Sequence, residues 1–438
     1  MDPSDLKLGL VRQIFPPSSR PDIPATLASE FQRTNLAERI KPGQKVVVTS
    51  GSRGIESMLE VVRAVVKLVK GLGAEPLILP AMGSHGGGTP EGQVDVLKHL
   101  GQTEKTLGAR ILTDYKPTVI GEVFGYLPLS VDGQALPGDA DHVILVGRVK
   151  EHSEFIGPVE SGLMKMAVVG IGRVQGAAMM HQAAVRHTYY KTIVNMARVI
   201  FQKAPVLCGV ALVEDERNIL SRLEVVPTAE IERREPELLT LSQKTKPRLP
   251  WDALDVLLVD ELGKDVSGAG LDTKVVGRIM NIYEREPESP KITRLVTFRI
   301  SRKGGGNAIG LGLNDYITRE LYDAIEPVMT DLNSTVAVSP EKGRCPLVRP
   351  TALSALEGAL ATVGPCSPAD LRMAWIANTK DLEHLAVSPR LYFEAASDPT
   401  LERLAKPQAL PLLPNGYFKH FNDWLAKLTG RPAARPAG

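Results

Sequence analysis

Apolar runs of strand length alternate along this chain with stretches of helical periodicity. KVVVTSGSRG (45–54) reads as a short strand ending in a glycine loop, and ESMLEVVRAVVKLVKGLG (56–73) as a helix closing on Gly71 and Gly73. PLILPAMGSHGGG (76–88) is strand and loop again. Strand, crossover helix and strand at this spacing make a right-handed βαβ unit, which places both loops at the carboxyl ends of parallel strands. DHVILVGRVKEH (141–152) is a third apolar run, leaving its strand into Arg148, Lys150 and His152. A helical tract over 177–202, a strand over 206–215 and a polar helix running into a proline-punctuated linker over 230–250 complete a first unit. From Trp251 the pattern restarts: strand and glycine loop over 253–270, a strand over 292–301, a helix over 314–328, strand-like STVAVSP (334–340) and a helix over 352–363. The expected fold class is α/β, two α/β domains with largely parallel sheets facing a shared cleft. Their expected bounds are 1–245 for a cofactor-binding catalytic domain and 246–425 for a domain closing the cleft. Residues 426–438, ending in TGRPAARPAG without an apolar period, are expected to be a disordered tail.

Composition narrows the function. The 438 residues carry 52 basic and 50 acidic side chains, so no excess of positive charge points to nucleic acid, and a small-molecule ligand is the better expectation. No apolar run reaches the roughly 18 residues of a membrane span, and MDPSDLKLGL lacks the basic and apolar regions of a signal peptide, which reads as a cytoplasmic protein without a membrane partner. The three cysteines, Cys208, Cys345 and Cys366, are far apart and show no C-x-x-C spacing, against both a disulfide framework and a thiolate zinc site.

In open α/β sheets ligands bind beyond the carboxyl ends of the strands. Arg53, His85 and His152 all follow such ends, and His181 lies in the helical tract beyond. Each histidine alone is more often a hydrogen-bonded structural residue than a ligand or catalyst; the set at strand ends is what points to chemistry. In GSHGGG (83–88), Gly86 and Gly87 follow a histidine and give a backbone able to approach a ligand closely. TSGSRG (49–54), with Ser50, Gly51 and Arg53, offers backbone N–H groups and a guanidinium to a phosphate, or is simply a tight turn. GIGRVQG (170–176) is one residue off the dinucleotide fingerprint and is a weak signal. In VESGLMKMAVVG (159–170) a single lysine, Lys165, interrupts a run suited to burial. A buried ammonium must be paired, neutralised or modified, unless its stem carries it to the surface.

These residues resemble the nickel-pincer lactate racemase family. The resemblance is carried by the histidine-bearing glycine loop, by His152 ahead of Ser161, Gly162 and Lys165 in S-G-x-x-K, and by His181 sixteen residues after the lysine. It covers the N-terminal half with specific spacing and the second domain only in general organisation. It implies a nickel-pincer nucleotide, a pyridinium-derived mononucleotide attached through a thioamide to Lys165, with His181 as the nickel ligand and His85 and His152 as the acid/base pair. It further implies cofactor contacts from Arg53, Ser50, Gly51, Gly86, Gly87, Ser161 and Gly162, and a partnership with cofactor-synthesis proteins. For a substrate carboxylate the expected cations are Lys264 in DELGKDVSG and Arg53, with Lys274 and Arg302 behind. The implied activity is racemisation or epimerisation at C2 of a 2-hydroxy acid. Imidazoles suit the two bases because their pKa lies near neutrality, and a sulfur and carbon plane completed by one imidazole suits Ni(II). The longer spacer from His152 to Lys165 and the Leu163-Met164 pair depart from the lactate enzymes and mark a divergent branch.

Three other readings compete. A nicotinamide-dependent oxidoreductase would use GIGRVQG as its phosphate loop. A non-catalytic nucleotide- or metal-binding protein would not call for two bases. Metal-assisted hydrolysis would need Glu151, Glu154 or Glu160 as ligands, and none has helical spacing with a histidine.

Overall fold

The computed structural model describes residues 2–51 and 55–430. The chain forms two compact units, one of residues 17–246 and the other of residues 2–16 together with 247–430. The division falls between 246 and 247, and residues 2–16 belong with the C-terminal unit. Their strand β1 (Lys7–Gln13) explains why, because it is hydrogen-bonded within that unit's sheet.

The 17–246 unit is built on β2 (Lys45–Ser50), β3 (Glu75–Pro80), β4 (Arg110–Ile111), β7 (His142–Arg148), β8 (Val206–Glu214) and β9 (Leu220–Pro227), with β5 (Pro117–Val123) and β6 (Leu127–Asp132) as a separate hairpin. The sheet order is β4-β3-β2-β7-β8-β9, parallel except for β9. The chain steps outward from β2 to β3 and β4, then returns to the other side of β2 as β7. The β2/β7 junction is thus a topological switch point, where the loops diverge and leave a crevice at the carboxyl ends. Valines make the βαβ unit: Val46, Val47 and Val48 are fully buried in β2, and the helix Met58–Gly71 buries Val61, Val62, Val65, Val66 and Val69 against that sheet's core.

The other unit contains β1, β10 (Ala253–Leu262), β11 (Lys291–Ile300), β12 (Tyr316–Thr318), β13 (Leu347–Arg349), β14 (Met373–Ile376), β15 (His384–Val387) and β16 (Leu401–Ala409), in the order β13-β12-β11-β10-β14-β15-β1-β16. The first five in that order are parallel and the last three are added antiparallel. Both units are α/β with largely parallel sheets, as the patterning predicts.

Local differences from the sequence reading have identifiable causes. The helix expected over 314–328 is instead strand β12, a short helix Arg319–Asp323 and a new helix Pro327–Val336, which also absorbs the start of the strand expected over 334–340. Residues 426–429, placed in a disordered tail, finish the helix Phe421–Thr429, whose Phe421 and Trp424 pack on Trp375. Gly430 caps that helix, and residues 431–438 of the tail lie outside the described residues, as does Arg53. Among the described residues no helix is long and apolar enough to cross a membrane.

Candidate active site

At the carboxyl end of β7 the chain leaves as a closed loop. Lys150 and Ser161 exchange backbone hydrogen bonds of 2.8 and 3.1 Å, so residues 150–161 return to where they began and hand the chain directly to Gly162 and Lys165. This bridge absorbs the long spacer between His152 and Lys165. Glu160 braces the loop from inside, its carboxylate accepting the His152 N–H at 2.6 Å and the Gly157 N–H at 3.3 Å.

Beyond Gly162 one helical segment runs to His187, with a π-helical turn over Met166–Ile171 between Leu163–Lys165 and the α-helix Arg173–His187. π turns widen a helix by one residue and recur at functional sites. Glu235, on the helix Ile231–Thr245, caps this segment: the Met164 N–H donates to Oε2 at 2.8 Å. A Cβ on Gly162 would lie 2.2 Å from Glu235 Oε1, so only glycine admits the cap. Burial pushes the Glu235 carboxyl up to about 7 against the opposing pull of the backbone N–H groups.

His152, Lys165 and His181 are brought together around Tyr189. Lys165 Nζ lies 2.5 Å from His152 Nε2, and His152 Nδ1 accepts the Glu154 backbone N–H at 3.1 Å. Lys165 is half-buried as a residue and its amine is enclosed: desolvation lowers its pKa to about 8, with the Glu154 charge opposing. His181 Nδ1 is 2.7 Å from the Tyr189 hydroxyl. The Tyr189 ring stacks on Phe155 at 5.1 Å and lies 5.8 Å from the His152 ring. Phe155 and Tyr189 are fully buried and form the apolar wall of the group. Tyr189 was not legible as a site residue: the sequence reads as one helical tract over 177–202, whereas the structure breaks it at Thr188 and starts a new helix, Tyr189–Lys203, eight positions beyond His181.

His85 starts the glycine turn Gly86–Gly88. That loop rests on the helical segment, because a Cβ on Gly83 would meet Val169 and Ala177, and one on Gly88 would meet Val174. Gly86 presses on the backbone of Gly92 and Gln93, whereas a Cβ on Gly87 would meet open space. The loop is latched by Gln93, whose amide donates to Gly83 O at 2.7 Å while its oxygen accepts from Arg173. Arg173 is 2% exposed, pairs with the buried Asp132 at 2.9 Å, and faces the Tyr115 ring.

The remaining predicted residues are placed as follows. The Ser50 hydroxyl is buried and donates to the Gln102 side chain. Gly51 lies beside Met58 and Met166, which ties the end of β2 to the π turn. Lys264, Lys274 and Arg302 are in the other unit, where Lys264 Nζ donates to Gly268 O at 2.7 Å and Lys274 is buried. GIGRVQG is no strand-to-helix phosphate loop: Gly170 is in the π turn, Gly172 opens the next helix, and Cβ atoms on Gly172 and Gly176 would strike Val168 O. The run Ala167–Val169 that precedes it is helical, and the fingerprint's geometry requires a strand there. Among the described residues no three His, Cys, Asp or Glu side chains converge as a metal-binding group.

The class defined so far is a two-unit α/β protein with a lysine and two histidines gathered beside the switch point of a parallel sheet. No family model matches the chain, and no curated protein matches its sequence. Among solved structures it is similar to a Thermotoga maritima protein, with 14% identity, a TM-score of 0.47, and coverage of 75% of this chain and 84% of that one. It is also similar to the lactate racemase apoprotein from Thermoanaerobacterium thermosaccharolyticum, with 11% identity, a TM-score of 0.44, and coverage of 85% and 84%.

Proposed function

We propose that this chain is a racemase or epimerase acting at C2 of a 2-hydroxy acid, with a nickel-pincer nucleotide held at Lys165 and His181. The observation that carries this reading is the gathering of His152, Lys165 and His181 around Tyr189. The residues fit such a group chemically. An enclosed amine with its pKa lowered to about 8 suits covalent attachment near neutral pH. A phenol at Nδ1 of His181 matches the outer partner that would orient this imidazole as a metal ligand.

When bound, the nucleotide supplies the acceptor and donor of hydride at C2. The chain supplies the rest. His152 and His85 take up and return the hydroxyl proton, one for each enantiomer, and Glu160 fixes the loop that carries His152. Phe155 and Tyr189 exclude water from the His152 side, which strengthens each polar contact there. Arg53, Lys264 and Lys274 are the cations proposed for the substrate carboxylate, and the proteins that make the nucleotide are the proposed partners.

The test is to produce the protein together with cofactor-synthesis machinery and measure intact mass, metal content and C2 inversion across a panel of hydroxy acids. An adduct and about one nickel per chain are expected, with the adduct lost in Lys165→Ala and nickel lost in His181→Ala. Protein carrying neither adduct nor nickel would overturn the proposal.

A further inference from the structure

The form of the lysine that this contact favours can be read from the hydrogen bonds of its neighbour. His152 Nδ1 accepts the Glu154 backbone N–H, so that nitrogen presents its lone pair and carries no proton. In the neutral ring the hydrogen is then on Nε2. Nε2 lies 2.5 Å from Lys165 Nζ, so the hydrogen bond runs from imidazole to amine, and the amine needs its own lone pair to accept it. An ammonium at this position would aim a hydrogen at Nε2–H.

We infer that this contact favours the neutral amine of Lys165, which accepts a hydrogen bond from His152 Nε2–H and is thereby a nucleophile poised for an acyl or thioacyl carbon. The same contact holds His152 in the tautomer with its proton on Nε2 and commits that proton to the lysine until the lysine is acylated. This deepens the proposed function, in which Lys165 is the attachment point, but it concerns the protein before any group is attached. On acylation Nζ bonds to the carbonyl or thiocarbonyl carbon, the leaving group departs with its electron pair, and the surplus Nζ proton passes to solvent. The resulting amide nitrogen is no longer a basic acceptor, and the His152 Nε2–H is freed to donate to another group.

Several titratable groups lie beside the pair among the described residues. Glu154 lies on the same loop and its charge favours the ammonium. Glu160 is engaged by the His152 and Gly157 N–H groups, Glu235 caps the helix that carries Lys165, and Tyr189 faces the His152 ring.

The test is competitive acetylation of the whole apo protein with an N-hydroxysuccinimide ester from pH 6 to 11, read lysine by lysine by peptide mass spectrometry. Lys165 should label with a half-point near 8, whereas exposed lysines should follow the ordinary value of about 10.4. His152→Phe keeps the apolar volume and removes the donor, so the half-point should rise by about one unit. Glu154→Gln removes the charge that favours the ammonium, so the half-point should fall. Nitrogen-15 NMR of the wild-type ring should show a bare Nδ1 and a protonated Nε2. A Lys165 half-point matching the exposed lysines, or a proton on Nδ1, overturns the inference. Early labelling without nickel or inversion in loaded protein overturns the racemase reading alone; late labelling in a protein that does invert overturns only the inference.

Discussion

Glu235 illustrates how one buried side chain sets conditions for the site. It is 1% exposed, donates nothing to the sheet, and spends its carboxylate on the start of the helix that holds Lys165. Its folded pKa, about 7, lies above the ordinary 4.5, so the folded protein binds a proton that the unfolded chain releases. That contribution to stability is complete below about 4.5 and is lost as pH rises through about 7. Glu235→Gln removes the titration, so the difference in urea midpoint between the two proteins should move in favour of the variant from pH 5 to pH 8. A difference constant across that range would contradict the assignment. None of this was legible in the sequence, because Glu235 and Met164 are 71 positions apart and lie on separate helices. Lys165 was legible, since a cation in an apolar run is an anomaly that composition alone exposes.

At the scale of elements, the helical segment from Leu163 to His187 organises the site, and Arg173 holds it in place. This residue adopts φ 50°, an uncommon backbone for a non-glycine residue, and its guanidinium joins Asp132 on the hairpin to Gln93 behind the His85 loop. Arg173→Met should cost roughly 3–5 kcal/mol, because it leaves Asp132 buried and unpaired, and Arg173→Lys should not restore the bidentate contact to Gln93. Chemical denaturation measures both. The sequence offered Arg173 only as part of a glycine-rich loop. The apolar run AVV before it fits a strand or a buried helix equally well, and periodicity cannot decide between them. The helix Pro327–Val336 was misread for a related reason. It buries Thr330 and Ser334 and exposes Val328 and Leu332, the reverse of the pattern that periodicity detects.

For the whole molecule the consequential feature is the first strand. β1 lies between β15 and β16, and its Leu8, Leu10 and Val11 are fully buried, worth roughly 1.5–3 kcal/mol each. That sum is comparable to the roughly 5–15 kcal/mol that holds a typical domain folded. Deleting residues 2–16 should therefore unfold the 247–430 unit while the 17–246 unit persists. Limited proteolysis should then degrade the former and spare a fragment of the latter; equal resistance of both units would contradict this. By itself the sequence determined the α/β class, the βαβ start and the unusual lysine, because these depend on local periodicity and on the cost of burying charge. The pairing of β1 with the C-terminal sheet, the Glu235 cap, the Arg173 latch and the Tyr189 bridge depend on contacts between residues far apart in the chain. Only folding brings such residues within hydrogen-bond distance, so the tertiary structure alone decided them.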